Sequence, residues 1–307
     1  MPRLIMARAF YIVGPTAVGK SVIAAAVAER CGGEIVSADA FQIYDGLDLL
    51  TAKPDETTLR VAPHHLIGAC RLNDAMNAEK FRRLALLAMN EIADRGRLVF
   101  VVGGTGMYVQ ALTHGLSPLP KTDPKLRERI EQCSEGELLV RLQLLDPTTA
   151  ASIDRRNKRR LVRAVEICLL GGTPASAQRQ RAEPAENPPG VFLIRDRDEL
   201  YARINQRVEA MFSDGVVEEV RHAGGVGVTA EQTLGLRQIR DFLAGRISEA
   251  DCIASIQQAT RHYAKRQLTW FQRQTNFEPL NLSVTGSSEA IEWIARKARL
   301  CFAQHDV

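Results

Sequence analysis

Eight residues near the start of the chain, Gly14-Pro15-Thr16-Ala17-Val18-Gly19-Lys20-Ser21, fit the pattern G-x-x-x-x-G-K-[ST]. No other stretch restricts the fold as strongly. Phe10-Tyr11-Ile12-Val13 before it is a short apolar run of strand type. Ser21 to Arg30 after it is Ala-rich and helical. Strand, glycine loop and helix together make a phosphate-binding P-loop. Glycines let backbone N–H groups turn toward an anion, and the helix N-terminus adds partial positive charge. Gly14, Thr16, Ala17, Val18, Gly19, Lys20 and Ser21 are the candidate diphosphate-binding residues. Lys20 reaches a terminal phosphate and Ser21 is placed to hold Mg²⁺. The motif says that a diphosphate binds, without saying what is transferred.

The rest of the chain reads as an α/β fold. Gly33 to Ser37 is a second strand, and Asp39 follows it at the sheet's C-terminal edge, where open α/β sheets place ligands. Residues 40–53 are irregular, and His65 to Gly68 reads as a short strand. Asn77 to Arg95 is an amphipathic helix ended by Gly96. Leu98 to Val102 is a buried strand running into Gly103-Gly104-Thr105-Gly106, with a helix from Met107 to Thr113. Near Leu116 the texture changes to Ser-Pro-Leu-Pro and Asp-Pro linker chemistry. Helices follow over 126–132, 135–145 and 150–170, and a second Pro-rich boundary spans 183–190. Strand type returns at Val191 to Ile194, then helices over 198–212, 216–222, 234–243 and 248–274, with a last helix from Ser288. The expected architecture is a P-loop NTPase-like parallel sheet flanked by helices. Residues 1–115 and 191–307 form the core, and 116–190 form an all-helical insertion domain.

Hydrophobic content of 45% over 307 residues is enough for a real core, and the net charge of +4 permits nucleic acid without requiring it. The six cysteines are scattered, with no C-x-x-C and none beside a histidine at metal-ligand spacing, so reduced thiols in a cytoplasmic protein are expected. No signal peptide and no membrane span is expected.

Three features carry chemistry. Asp39 is placed to hold a metal or act as a base on an acceptor. Thr105 offers a hydroxyl within a glycine turn. The strand before it ends in glycine where many P-loop ATPases carry a magnesium-binding Asp, which weakens an ATPase reading. The third feature is the densest charge in the chain, Arg155-Arg156-Asn157-Lys158-Arg159-Arg160 with Arg163 one turn on. On one helix Arg156, Arg159, Arg160 and Arg163 share a face, and arginine forks suit phosphate oxygens. Few acids lie nearby, so a polyanion partner is expected. A second basic group, Arg261, His262, Lys265, Arg266 and Arg273, is interleaved with Tyr263, Trp270 and Phe271. It suits base stacking and helix packing equally. His64-His65 reads as structural or hydrogen-bonding rather than metal-binding.

Taken together, these motifs resemble the bacterial tRNA dimethylallyltransferase (tRNA isopentenyltransferase) family over nearly the whole chain. The resemblance rests on Gly14 to Ser21, Ser37-Ala-Asp-Ala-Phe-Gln-Ile-Tyr44, Thr51-Ala-Lys-Pro54 and Pro63-His-His-Leu-Ile67. It continues with Gly103-Gly-Thr-Gly-Met-Tyr108, Arg159-Arg-Leu-Val-Arg-Ala-Val-Glu166 and Thr260 through Phe271. It implies transfer of a dimethylallyl group from its diphosphate to N6 of the adenosine 3′-adjacent to the anticodon, in tRNAs reading codons that begin with U. It implies Mg²⁺ near Ser21, a catalytic set of Asp39, Thr105 and Lys20, and Asp39 as candidate base. It also implies RNA contacts at Asp39, Ala40, Phe41, Gln42, Thr105 and Arg127. Further contacts fall on Arg159, Arg160, Leu161, Val162 and Arg163, and on Thr233, Gly235 and Arg237, with the helical insertion holding the anticodon stem-loop. The default is a cytoplasmic monomer. Ala40-Phe41, Arg156-Asn157 and Leu236 depart from the commonest family pattern. The residues alone leave three rivals: a small-metabolite P-loop kinase, a prenyltransferase of free adenine nucleotides, and an RNA-binding module using ATP or GTP as a switch.

Overall fold

A computed structural model describes residues 8–178 and 188–303. The chain divides into two compact units, Met1–Thr113 with Ala185–Val307, and His114–Pro184.

The first unit is built on a parallel sheet. Its opening elements are β1 (Ala9–Val13), α1 (Lys20–Cys31), β2 (Gly33–Ser37), α2 (Glu56–Val61) and β3 (His64–His65). Then come α3 (Ala78–Asp94), β4 (Leu98–Gly103) and α4 (Gly106–Thr113). The second unit is helical among the described residues: α5 (Pro124–Glu131), α6 (Glu135–Leu145), α7 (Pro147–Ser152), α8 (Lys158–Gly171) and α9 (Ala175–Gln178). The first unit resumes with β5 (Gly190–Ile194), α10 (Arg197–Ser213), α11 (Val216–His222), α12 (Leu236–Leu243), α13 (Glu249–Gln274), β6 (Glu278–Asn281) and α14 (Ser287–Ala303).

The strand order is β3-β2-β4-β1-β5-β6, all parallel, with Phe10 opposite Phe100 and Val13 opposite Gly103. Alternate residues of each central strand enter opposite cores, as the period of two requires. Tyr11, Val13, Val99 and Val101 pack with Phe81, Met89 and Phe271 on one face. Phe10, Ile12, Phe100 and Val102 pack with Val27, Leu200 and Ile294 on the other. Both loops that follow β1 and β4 therefore open on one sheet edge.

Several expectations need correction. The third strand is His64–His65, paired with Ile35 and Val36, and Leu66 ends it with a left-handed φ of 63°. His65 bonds Glu34 at 2.7 Å, and His64 Nδ1 donates to the Ala62 carbonyl at 2.7 Å, so both rings have the hydrogen-bonding roles expected of them. The helix expected over 150–170 is two helices: Ile153 leaves helical geometry, and Asn157 caps α8 by accepting from the Arg160 N–H. Arg155 and Arg156 thus precede the helix and do not share its face with Arg159, Arg160 and Arg163. An acid does lie nearby. Glu166 is fully buried and takes Arg163 at 2.6 Å and Arg127 at 2.8 Å. Strand β6 was not foreseen, because an edge strand containing Pro279 lacks alternation. Most of the Pro-rich boundary at 183–190 lies outside the described residues.

Within the helical unit Asp146 is almost wholly buried. It accepts from the Thr149 N–H and hydroxyl and from the Ser176 N–H and hydroxyl, at 2.6 to 3.0 Å. Burial alone would raise its carboxyl, but these donors outweigh it and hold it down to about 2. Asp146→Ala is expected to destabilise this unit by about 2 kcal/mol at neutral pH. Because the folded value is depressed, the contribution is present above the ordinary value of 3.8 and is lost as pH falls toward about 2. Amide exchange across α7 to α9, wild type against variant, should show a difference that closes below about pH 4.

Candidate active site

The phosphate loop joins β1 to α1. Gly14 passes so close to β5 that a Cβ there would meet the Leu193 carbonyl oxygen at 2.5 Å. Ala17 holds a left-handed φ of 63°, and Gly19 precedes the helix at φ 106°. The first N–H groups of α1 have no acceptor within the helix and face outward at its start. Among the described residues the Lys20 ammonium donates only to the Pro15 carbonyl, at 2.7 Å. Burial pulls it down to about 8, with Asp39 opposing the shift and Arg207 adding to it.

Three arginines missed by the sequence reading brace this loop. Arg195, just beyond β5, donates to the Val18 carbonyl at 2.9 Å. Arg203 of α10 donates to the Ala17 carbonyl at 2.9 Å, and Arg207 one turn on donates to the Thr16 hydroxyl at 2.7 Å. The i, i+4 spacing of Arg203 and Arg207 was the signal that could have found them. Arg207 is half-buried, its buried Nε has no partner among the described residues, and desolvation pulls the guanidinium down to about 10, still charged at neutral pH. Val18 is buried, so it can serve a phosphate only through its backbone.

Asp39 leaves the end of β2. Its Oδ1 accepts from the N–H groups of Phe41 and Gln42, at 2.9 and 3.3 Å, and its Oδ2 has no hydrogen bond among the described residues. The glycine turn is knitted to it. The Thr105 hydroxyl accepts from the Ala40 N–H at 2.9 Å, and the Thr105 N–H donates to the Ala38 carbonyl at 3.2 Å. The Gln42 side chain donates to the Thr51 and Ala52 carbonyls, holding Ala52 at a left-handed φ of 50°. Strained residues of this kind gather at functional sites.

A cavity of about 340 Å³ lies between these pieces, with Lys20, Ser21, Arg203 and Arg207 on one side and Asp39 and Gln42 on another. A second, of about 40 Å³, shares Asp39, Thr16 and Arg207 and is lined by Phe41, Thr233 and Tyr263. The Phe41 and Tyr263 rings pack at 6.0 Å. Burial pushes the Tyr263 hydroxyl up, and the Asp39 charge adds to it. The Thr233 hydroxyl is buried without a partner. Thus Asp39, Thr105, Lys20 and the loop share one site with Ala40, Phe41, Gln42 and Thr233.

The remaining expected residues fall elsewhere. Gly235 begins α12 at φ 92°, Leu236 is buried, and Arg237 is exposed with only a distant Asp241 at 3.9 Å. In the helical unit Arg159 and Arg160 are exposed, whereas Leu161 and Val162 are core residues. Arg127 and Arg163 are tied to Glu166. Along α13, Trp270 and Phe271 pack inward while His262, Lys265, Arg266 and Arg273 face solvent, so these two aromatics serve helix packing. Among the described residues no three His, Cys, Asp or Glu side chains cluster to hold a metal, and no helix is long and apolar enough to cross a membrane.

The fold and site define a P-loop α/β protein whose phosphate loop and Asp39 carboxylate line one cavity. The comparisons narrow this. Residues 42–274 match the family model described as IPP transferase, and the chain belongs to that family. It is 40% identical over 281 residues to the tRNA dimethylallyltransferase of Akkermansia muciniphila, covering 92% of this chain and 96% of that one. It is 43% identical over 270 residues to tRNA dimethylallyltransferase 1 of Citrifermentans bemidjiense, covering 86% and 88%. The crystal structure of the tRNA isopentenylpyrophosphate transferase of Bacillus halodurans superposes with a TM-score of 0.70 at 32% identity, covering 98% of this chain and all of that one.

The depressed Lys20 sets a pH limit on anion binding. Its charge is fully present well below about 8 and is lost above it. Affinity for inorganic diphosphate should be level below about pH 7 and fall about tenfold per unit well above 8. Lys20→Met should bind weakly and remove that Lys20-dependent fall, measured by calorimetry across the pH range.

Proposed function

We propose that this chain is a tRNA dimethylallyltransferase, moving a dimethylallyl group from its diphosphate to N6 of the adenosine 3′-adjacent to the anticodon. The observation that carries the reading is one cavity with two poles. At one, Lys20, the unpartnered Arg207 Nε and the free N–H groups of α1 await an anion. At the other, Asp39 keeps one oxygen uncommitted. A donor with its diphosphate at the first pole brings its allylic carbon toward the second.

The chemistry follows from these positions. The C–O bond to the allylic carbon breaks as negative charge grows on the diphosphate, and Lys20, Arg207 and the loop N–H groups are already oriented to receive it. Adenine N6 is a poor nucleophile because its lone pair is delocalised, so it needs proximity and a proton acceptor. As the N6–C bond forms, Asp39 Oδ2 takes the amine proton and passes it to solvent. Thr105 holds the Asp39 loop through Ala40. The acceptor base must leave its stack to reach Asp39. The small cavity lined by Phe41, Thr233 and Tyr263 is where we put that approach.

Mg²⁺ fits the donor set here. The protein offers the Ser21 hydroxyl at the cavity and, among the described residues, no cluster of three acidic, His or Cys side chains, which suits an ion that keeps waters and binds substrate phosphates. When bound it supplies further charge neutralisation to the diphosphate. Arg159 and Arg160, exposed and unpaired by carboxylates, are read as phosphate contacts to the anticodon stem-loop, with the protein acting as a cytoplasmic monomer.

Labelled dimethylallyl diphosphate, incubated with the protein, Mg²⁺ and either unmodified tRNA or AMP, should label tRNA at the adenosine after the anticodon. Label only in AMP, or ATP consumption with no label, overturns the reading. Asp39→Ala should lower turnover by ~10²-fold or more with tRNA affinity nearly intact. Lost affinity with surviving turnover would remove Asp39 as the base. Arg160→Ala should reduce the slope of log affinity against log salt by about 1, and an unchanged slope makes Arg160 a solvated surface residue.

A further inference from the structure

Gln267 of α13 is almost wholly buried and has a partner for each end of its amide. Its Oε1 accepts from the Thr16 N–H at 2.8 Å, and its Nε2 donates to the Gly104 carbonyl at 2.8 Å. The orientation is unambiguous, since reversing the amide would set N–H against N–H and oxygen against oxygen. The fit is tight: a Cβ on Gly104 would lie 2.3 Å from Nε2. Thr16 belongs to the phosphate loop and Gly104 to the turn that carries Thr105. Each loop follows a different strand of the β1–β4 pair, and Gln267 bonds one to the other beyond the ends of those strands.

We propose that Gln267 is a positioning residue for the transfer reaction. By bridging Thr16 and Gly104 it sets the phosphate loop against the Thr105 turn, and so sets the donor diphosphate relative to Asp39. This rests on the prenyl-transfer reading above. The bridge takes the outward-facing N–H of Thr16, so the loop is anchored from behind while its N–H groups at the α1 end stay free for the anion. The Arg207 bond to the Thr16 hydroxyl holds the same residue from α10. Thr16 is therefore gripped through both its backbone and its side chain by two helices distant in sequence.

The chemistry selects an uncharged amide. Leucine or methionine can fill the space but can neither accept from Thr16 nor donate to Gly104. An ionised glutamate accepts from Thr16 but sets charge against the Gly104 carbonyl. A protonated glutamic acid can do both.

The test compares wild type with Gln267→Leu and Gln267→Glu, reading amide exchange at Thr16, binding of inorganic diphosphate, and the KM values for dimethylallyl diphosphate and tRNA. In Gln267→Leu we expect faster exchange at Thr16, diphosphate affinity and donor KM worse by about tenfold, and tRNA KM within about twofold. Gln267→Glu should regain diphosphate affinity relative to wild type as pH falls from about 8 to about 6, whereas Gln267→Leu should not. A donor KM and diphosphate affinity within twofold of wild type in Gln267→Leu overturn the proposal. So does a Leu variant that behaves like Glu at every pH, which reduces the residue to volume. Failure of wild type to prenylate tRNA would overturn the function reading, while exchange and diphosphate binding would still decide the role of Gln267.

Discussion

A cation partly removed from water must be compensated, and this molecule sets two half-buried ones beside one cavity with no carboxylate ion pair for either among the described residues. Lys20 has a backbone carbonyl and Arg207 a threonine hydroxyl. Neutral partners satisfy geometry but leave most of the charge uncancelled. The nearest anion, Asp39, has turned one oxygen to its own loop. The cavity thus has more positive than negative charge around it, an environment suited to an anion.

That arrangement depends on parallel strands ending together. With β2, β4, β1 and β5 side by side, the loops after them meet at one edge, and close approaches at Gly14, Gly103 and Gly104 remove any room for slack. Left-handed Ala17 and Ala52 show that the site is held in shape against local preference. The bracing arginines and Gln42 are what keep it there.

The local parts were legible because each was written in consecutive residues. Gly14 to Ser21 specifies its own turn, and Asp39 and Thr105 follow apolar runs that can only be buried strands. The bracing residues were not, since Arg195, Arg203, Arg207 and Gln267 lie 177 to 251 residues from the loop they hold. Composition shows arginines without showing what they face. In the helical unit the sequence reads 150–170 as one helix, and the break at Ile153 is marked only by the new cap that Asn157 supplies to α8. Glu166 was equally hidden. In the sequence it follows the basic run as one acid among many bases. In the structure it orients Arg127 and Arg163, while Arg159 and Arg160 have no ion pair among the described residues.

The bracing also has an order in time. Thr16 leaves the ribosome 251 residues before Gln267. At about 5–20 residues per second, roughly 13 to 50 seconds of elongation separate the loop from its last support. The helical unit is made in between, and β5, the neighbour that β1 needs, comes after it. During that interval the nascent chain has the sequence of a phosphate-binding loop without its geometry.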